Sequence, residues 1–189
     1  GHLLIIDAEN CQIQKFGENG TFIDAYGSCG TGDLEFDFEH GSGDPDGGID
    51  IDSEGNIYIA DTGNDRVVKL NSTGGFVTTI GTAGTDDGEF TTPVAIEIDS
   101  NDNLWVTDEG DGGKIVKYNT EGVYGSLEIS NDLTTPASVA SNSTHLVVVD
   151  TDDDEVKTYK ISDGNVAPAA TFGGNGSSTG QLYNPVDVE

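Results

Sequence analysis

The sequence predicts an all-β fold, a β-propeller of four antiparallel four-stranded blades, and three observations carry that expectation. Glycine is frequent, at 27 of 189 residues. The apolar runs are short, rich in Val, Ile, Thr and aromatics, and none of ten or more residues has helical spacing. One hairpin phrase is written four times: GHLLIIDAENCQIQKF at 1–16, GNIYIADTGNDRVVKL at 55–70, DNLWVTDEGDGGKIVKY at 102–118 and THLVVVDTDDDEVKTY at 144–159. Its first apolar residue is Leu3, Ile57, Leu104 and Leu146 in turn, at intervals of 54, 47 and 42 residues. A period in the forties with several strands per unit suggests propeller blades.

The second unit shows the elements in full. GIDID, NIYIAD, RVVKLN and FVTTIG read as strands, joined by the turns SEGN, TGND and STGG. Connections this short cannot join parallel strands, so the unit is an antiparallel meander. A Gly-rich crossover, GTAGTDDGEFTTP, leads to the next unit. The chain closes with NPVDVE, which matches the first strand of a unit, TPVAIE at 92–97 and TPASVA at 135–140. It opens with GHLLIID, the second strand of a unit. The last residues therefore supply what the first lack. The expectation is a single domain closed within the chain: blade 1 from 185–189 plus 1–40, blade 2 from 41–92, blade 3 from 93–135 and blade 4 from 136–184. Such a ring hides its sheet edges. The alternative is an arc of a larger propeller, or one completed by a neighbouring molecule. The chain starts at Gly1 instead of Met, which reads as processing or as a window cut from a longer chain.

GIDIDSEGNIYIADTGNDRVVKLNSTGGFV, residues 48–77, resembles the NHL repeat, whose units read roughly P-x-G-I-A-V-D-x-x-G-N-I-Y-V-A-D-T-x-N-x-R-I. The match is strongest in the second unit, good in the third, weaker in the first and fourth, and covers essentially the whole chain. It implies a β-propeller. NHL propellers commonly have six blades, so four is a departure. Some propellers that the repeat resembles are enzymes, including the lyase that finishes peptide amidation and the lyase that opens streptogramin antibiotics. Such sites need histidines and, in the first case, a His-ligated metal.

The recurring aspartates Asp7, Asp61, Asp108 and Asp150 each end the second strand of a unit. An Asp there can accept backbone N–H groups of the following turn, which makes it a structural turn cap. The competing reading is a calcium ligand, above all in DTDDDE at 150–155, where Asp152, Asp153 and Asp154 crowd one turn, although the Gly and distant Glu of an EF-hand loop are missing. The seven cations Lys15, Arg66, Lys69, Lys114, Lys117, Lys157 and Lys160 lie in or beside third strands. There they can pair with carboxylates on neighbouring strands, each pair worth at most ~1 kcal/mol.

First strands line the central channel. The position that the family keeps small reads Asp50, Glu97, Ala140 and Glu189 here. Three carboxylates near the axis repel unless hydrated or neutralised, and a Ca²⁺ or Mg²⁺ on the axis would neutralise them. The alternative is that the acids are simply wet. His2, His40 and His145 are the three histidines. His2 and His145 fall at equivalent turns of different blades, and His40 falls in the inserted loop DFEHGSGDPDGG. No pair has ligand spacing, and no nucleophile motif such as G-x-S-x-G occurs.

Cys11 begins a third strand and Cys29 follows the fourth strand of the same unit. In an antiparallel pair these points share one end, which fits a disulfide and an oxidising compartment; two free thiols are the alternative. Acceptor sequons for N-glycans stand at Asn19, Asn71, Asn142 and Asn175, all in Gly/Ser-rich turns. The formal net charge is −28, which argues against nucleic acid and anionic membranes as partners. No apolar run approaches the ~20 residues of a membrane span. Together these features predict a non-enzymatic extracellular or cell-surface module. It would need no cofactor, with Ca²⁺ as an option, and would bind a protein or glycan partner or assemble with its own copies. The alternative is a metal-dependent lyase or hydrolase-like propeller with its site at the channel mouth.

Overall fold

The computed structural model describes residues 1–39, 47–162 and 165–188. Within them the chain is all-β. Strands β1 (His2–Asp7), β2 (Gln12–Gly17) and β3 (Phe22–Tyr26) form the first sheet. A short parallel pair, β4 (Ser28–Cys29) and β5 (Glu35–Phe36), lies in the crossover that follows. The second sheet is β6 (Ile49–Ile51), β7 (Ile57–Asp61), β8 (Arg66–Leu70) and β9 (Phe76–Ile80). The third is β10 (Pro93–Ile98), β11 (Leu104–Asp108), β12 (Lys114–Tyr118) and β13 (Tyr124–Ile129). The fourth is β14 (Pro136–Ser141), β15 (His145–Asp150), β16 (Glu155–Ser162) and β17 (Asn165–Gly173). Each of the four is an antiparallel meander whose strands pair in sequence order. The strands expected in the second unit all form.

The alternation of side chains puts an apolar row on both faces of each second strand, so the core is layered between blades. Leu4 and Ile6 of blade 1 meet Ile57, Ile59, Val68 and Leu70 of blade 2. Tyr58 and Ala60 on the other face of blade 2 meet Leu104 and Val106 of blade 3. Trp105 and Ile115 of blade 3 then meet Leu146 and Val148 of blade 4. Residues one and three of a second strand thus face the preceding blade, and residues two and four face the following one.

The crossovers carry a repeat of their own that the hairpins overshadow in the sequence. Residues 27–36, 81–90 and 173–182 all fit G-x2-G-x4-(E/Q)-(F/L). The Glu or Gln folds back on its own loop: Glu35 accepts the N–H of Gly32, Glu89 that of Asp86 and Gln181 that of Ser178. The residue after it is buried in two of the three, as Phe36 and Phe90. Gly81, at φ +73°, lies over the Phe90 ring, and a Cβ there would fall 2.3 Å from it. Only glycine lets the ring sit that close.

Two expectations are corrected. The ring is not closed by the last strand. Residue 189 lies outside the described residues, and residues 185–188 do not pair with β1. They run beside β14 instead. Thr151 Oγ1 donates to the Pro185 carbonyl at 2.8 Å, as Thr62 Oγ1 donates to Pro93 at 2.8 Å. Ser138 Oγ donates to Asp187 at 2.7 Å and accepts the Val188 N–H at 3.3 Å. The hydroxyls of blade 4 therefore hold this segment where the first strand of a next blade belongs. The sheets form an open arc, and blade 1 has three strands among the described residues. The expected cation pairs form, but those of Lys69, Lys114 and Lys157 are buried, so the ~1 kcal/mol of an exposed pair does not apply to them.

Cys11 and Cys29 are joined in a disulfide, tying the turn after β1 to the crossover. Replacing Cys11 with Ser removes a cross-link spanning 18 residues. The expected loss is about 3 kcal/mol, a drop in Tm of roughly 6–12 °C, to be read by thermal unfolding with and without reductant.

Candidate functional site

Asp61, Asp108 and Asp150 are fully buried. Their main backbone partners are not in the turns that follow. Asp108 accepts the N–H groups of Thr91 at 3.0 Å and Thr92 at 2.6 Å. Asp150 accepts those of Thr134 at 3.0 Å and Thr135 at 2.9 Å. Asp61 accepts the Asp37 N–H at 2.7 Å. In each case the donors lie in the segment that arrives from the previous blade and leads into the first strand. The following turn adds the Gly110 N–H to Asp108 at 3.3 Å and, at Asp61, Asn64 Nδ2 at 2.9 and 3.0 Å. Asp108 and Asp150 are thus clamps on the incoming chain more than caps on the outgoing turn, and Asp61 is both.

A cation from the third strand sits beside each clamp. Arg66 Nε is 2.7 Å from Asp61, Lys157 Nζ 2.7 Å from Asp150 and Lys114 Nζ 4.0 Å from Asp108. Burial still dominates and pushes the carboxyls of Asp61 and Asp108 up, against the N–H groups and cations that favour the charge. Asp7 is different. It is half-buried and accepts only side-chain amides, Asn10 Nδ2 at 3.0 Å and Gln14 Nε2, with no entering backbone segment among the described residues.

Two more buried aspartates, Asp52 and Asp99, close the first turn of blades 2 and 3. Asp99 accepts Asn103 Nδ2 at 2.8 Å and Trp105 Nε1 at 3.0 Å; Asp52 accepts Asn56 Nδ2 at 2.8 Å and Tyr58 OH at 3.1 Å. Burial opposes their charge, but these bonds outweigh it and hold both carboxyls below the usual range. The signal for them was present, since Asp-x3-Asn precedes the second strand in both units.

The first strands and residues 184–188 line a cleft of about 980 Å³ along the axis of the arc. Asp50 and Glu97, expected on the axis, both line it. Each reaches to the next blade instead of to a common point. Asp50 accepts the Ile98 N–H at 2.7 Å, and Glu97 accepts Ser141 Oγ at 2.5 Å. Burial raises the Glu97 carboxyl above its usual value; the Ser141 bond opposes this and the Asp50 charge adds to it. The third acid, Glu189, lies outside the described residues. In the other acidic turn, Asp152 accepts Thr135 Oγ1 at 2.8 Å, Asp153 pairs with Lys157 at 2.9 Å and Asp154 accepts the Asn184 N–H at 2.6 Å. Among the described residues no three His, Cys, Asp or Glu side chains are gathered as a metal cage.

Among the described residues no histidine lines the cleft. His2 opens β1, His145 opens β15 with its Nδ1 2.8 Å from Thr144 Oγ1, and His40 lies outside the described residues. The sequons Asn19, Asn71 and Asn142 sit in turns at the same end of the blades, and Asn175 sits in a crossover at the other. At Asn71 and Asn142 the Thr hydroxyl of the sequon donates to the Asn side-chain Oδ1, at 2.7 and 3.1 Å. Asn175 Nδ2 donates to Asp154.

A family model described as 6-bladed beta-propeller, DUF5128, matches residues 48–173. The chain belongs to that family. Its fold is also that of several solved propellers. Virginiamycin B lyase from Staphylococcus aureus, in an inactive H270A form with quinupristin, is 15% identical with a TM-score of 0.62, over 89% of this chain and 52% of that one. A streptogramin B lyase is 18% identical with a TM-score of 0.61, over 89% and 50%. A nidogen/laminin complex contains a chain 21% identical with a TM-score of 0.59, over 90% and 61%. No curated protein matches the sequence. The chain spans about half the length of the lyases it superposes on. An arc that follows half of a larger propeller agrees with the six blades of the family and not with a tight ring of four. No helix of the described residues is long and apolar enough to cross a membrane.

Replacing Asp108 with Ala leaves the N–H groups of Thr91 and buried Thr92 without their acceptor and takes from Lys114 one of its two carboxylates, and should cost about 3 kcal/mol in urea unfolding. The same change at Asp7 should cost under about 1 kcal/mol, because Asp7 receives no backbone segment. A second expectation concerns alkali. Burial, aided by nearby carboxylates, raises the phenols of Tyr58, Tyr118 and Tyr159. A raised folded value means stability that is complete below the unfolded pKa of about 10 and falls as pH rises beyond it. Titration at 295 nm should show these three phenols ionising only together with loss of near-UV circular dichroism.

Proposed function

We propose that this chain is a non-enzymatic interaction module, an NHL-type propeller acting outside the cell or at its surface. It contacts a protein or glycan partner, or copies of itself. The state of the axial cleft supports this best. Asp50 and Glu97 there are bonded from one blade to the next, and no histidine lines the cleft among the described residues. What remains is a frame with loops at two ends, suited to contact. The disulfide suits an oxidising compartment, and Asn19, Asn71, Asn142 and Asn175 are its candidate glycan acceptors. The likeness to a chain of the nidogen/laminin complex is a fold-level analogy for such a module. No cofactor is required; Ca²⁺ at Asp50 and Glu97 or at Asp152, Asp153 and Asp154 would be accessory.

The competing enzymatic reading draws on the likeness to virginiamycin B lyase. One experiment separates the two. The chain is passed over immobilised laminin and a glycan array, and in parallel is incubated with quinupristin and Mg²⁺. Saturable binding with unchanged quinupristin is the expected result. A ring-opened quinupristin product on chromatography would replace the module with a lyase.

A further inference from the structure

The cation beside the clamp of blade 3 is held differently from its counterpart in blade 2. Arg66 opens β8 as Lys114 opens β12, each next to its clamp aspartate. Arg66 bonds directly to everything around it. Its Nε donates to Asp61 at 2.7 Å, Nη1 to the Thr31 carbonyl at 3.1 Å, and Nη2 to the Gly32 and Glu35 carbonyls at 2.7 and 2.8 Å. Lys114 makes no hydrogen bond of its side chain among the described residues, although that side chain is only 8% exposed. Its carboxylate partners, Glu128 Oε2 and Asp108 Oδ2, stand at 3.8 and 4.0 Å. An N–H···O bond spans only about 2.7–3.2 Å. Glu128 Oε2 is itself buried and has no hydrogen-bond partner. Lys157 in blade 4 shows the direct alternative, with Nζ 2.7 Å from Asp150 and 2.9 Å from Asp153.

The crossovers above the two cations follow the same course. In 27–36 the Gly30 N–H bonds to the Phe36 carbonyl and the Glu35 N–H to that of Gly32. In 81–90 Gly84 bonds to Phe90 and Glu89 to Asp86 in the same way. The carbonyls of Thr85, Asp86 and Glu89 therefore occupy the places from which those of Thr31, Gly32 and Glu35 receive the guanidinium. Lysine is shorter than arginine and ends in a point charge instead of a planar fork, so it does not fill the space that Arg66 fills. The Tyr118 hydroxyl donates to the Gly88 carbonyl and fastens the crossover over this place.

From this geometry we infer that a buried water molecule is bound between Lys114, Glu128 and Asp108 and forms part of the third clamp. The ammonium on one side disfavours a cation there, and the two carboxylates on the other disfavour an anion. Water suits both sides at once. Its oxygen accepts from Lys114 Nζ, and its two protons go to Glu128 Oε2 and Asp108 Oδ2. These partners suffice to hold a buried water, and such bridges are nearly as good in enthalpy as direct bonds. The water supplies the donor that Glu128 Oε2 finds nowhere in the protein. Without it, an ammonium and a buried carboxylate oxygen would face each other across 3.8 Å with neither satisfied. The clamps of blades 2 and 4 are thus closed by direct contact, and that of blade 3 is closed through solvent.

A crystal structure of the wild type that shows ordered water tests this first. The expected finding is a water within about 3.2 Å of both Lys114 Nζ and Glu128 Oε2. A direct contact between Lys114 and Glu128, with no water between them, would overturn the site. Magnetic relaxation dispersion of the solvent gives a second reading, on the wild type and on Lys114→Arg, whose fold circular dichroism checks. The longer, forked side chain should take the place of the water and bond to the carbonyls of Thr85, Asp86 and Glu89. The wild type should then hold one more long-lived water than the variant. Equal counts in the two proteins would also overturn the assignment.

Discussion

The buried clamp aspartate is the contact on which the rest of the arc depends. It lies where three things meet: the end of a second strand, a cation from the third strand, and the backbone arriving from the previous blade. Consecutive blades share no ladder hydrogen bonds, so a propeller needs some other directional bond to set where the chain enters each blade. A carboxylate with two oxygens serves, because it can accept two successive N–H groups at once, as Asp108 and Asp150 do. Its burial is costly, which is why Arg66, Lys114 or Lys157 stands beside it. Removing one partner from such a set leaves the others unsatisfied in a dry place, so the clamp is retained as a unit.

The residue after the clamp extends the same logic outward. Thr62 and Thr151 donate to the first residue of the next blade's inner segment, Pro93 and Pro185. Asp holds the blade's own incoming chain and Thr holds its neighbour's. Apolar layers between the sheets supply most of the stabilisation, but they are non-directional. The Asp and Thr bonds decide how the blades are aligned along the axis. Asp50 and Glu97 do similar service on the channel side by bonding across to Ile98 and Ser141. Acids that read from the sequence as a cluster awaiting a cation are, in place, links between adjacent strands.

With a net charge of −28, any stable contact between copies must rest on apolar and backbone pairing, since long-range electrostatics opposes it.

Much of this protein was legible in its sequence by itself. The period-2 alternation and the turn residues determined the hairpins of the four units, because both signals are local, but not whether those units close into a ring, and the family is six-bladed. The disulfide followed from two cysteines at one end of the same hairpin unit. The crossover repeat and the Asp-x3-Asn turns were legible too, but the stronger hairpin phrase masked them. What only the tertiary structure decided was long-range. The turn beside Asp108 looked like its natural partner, whereas the donors that won lie 16 and 17 residues earlier. The last strand matched a missing first strand in sequence, and nothing local says which blade receives it. That depends on how the interblade layers and the hydroxyls of Ser138 and Thr151 place the chain, a sum over many contacts that no single motif encodes.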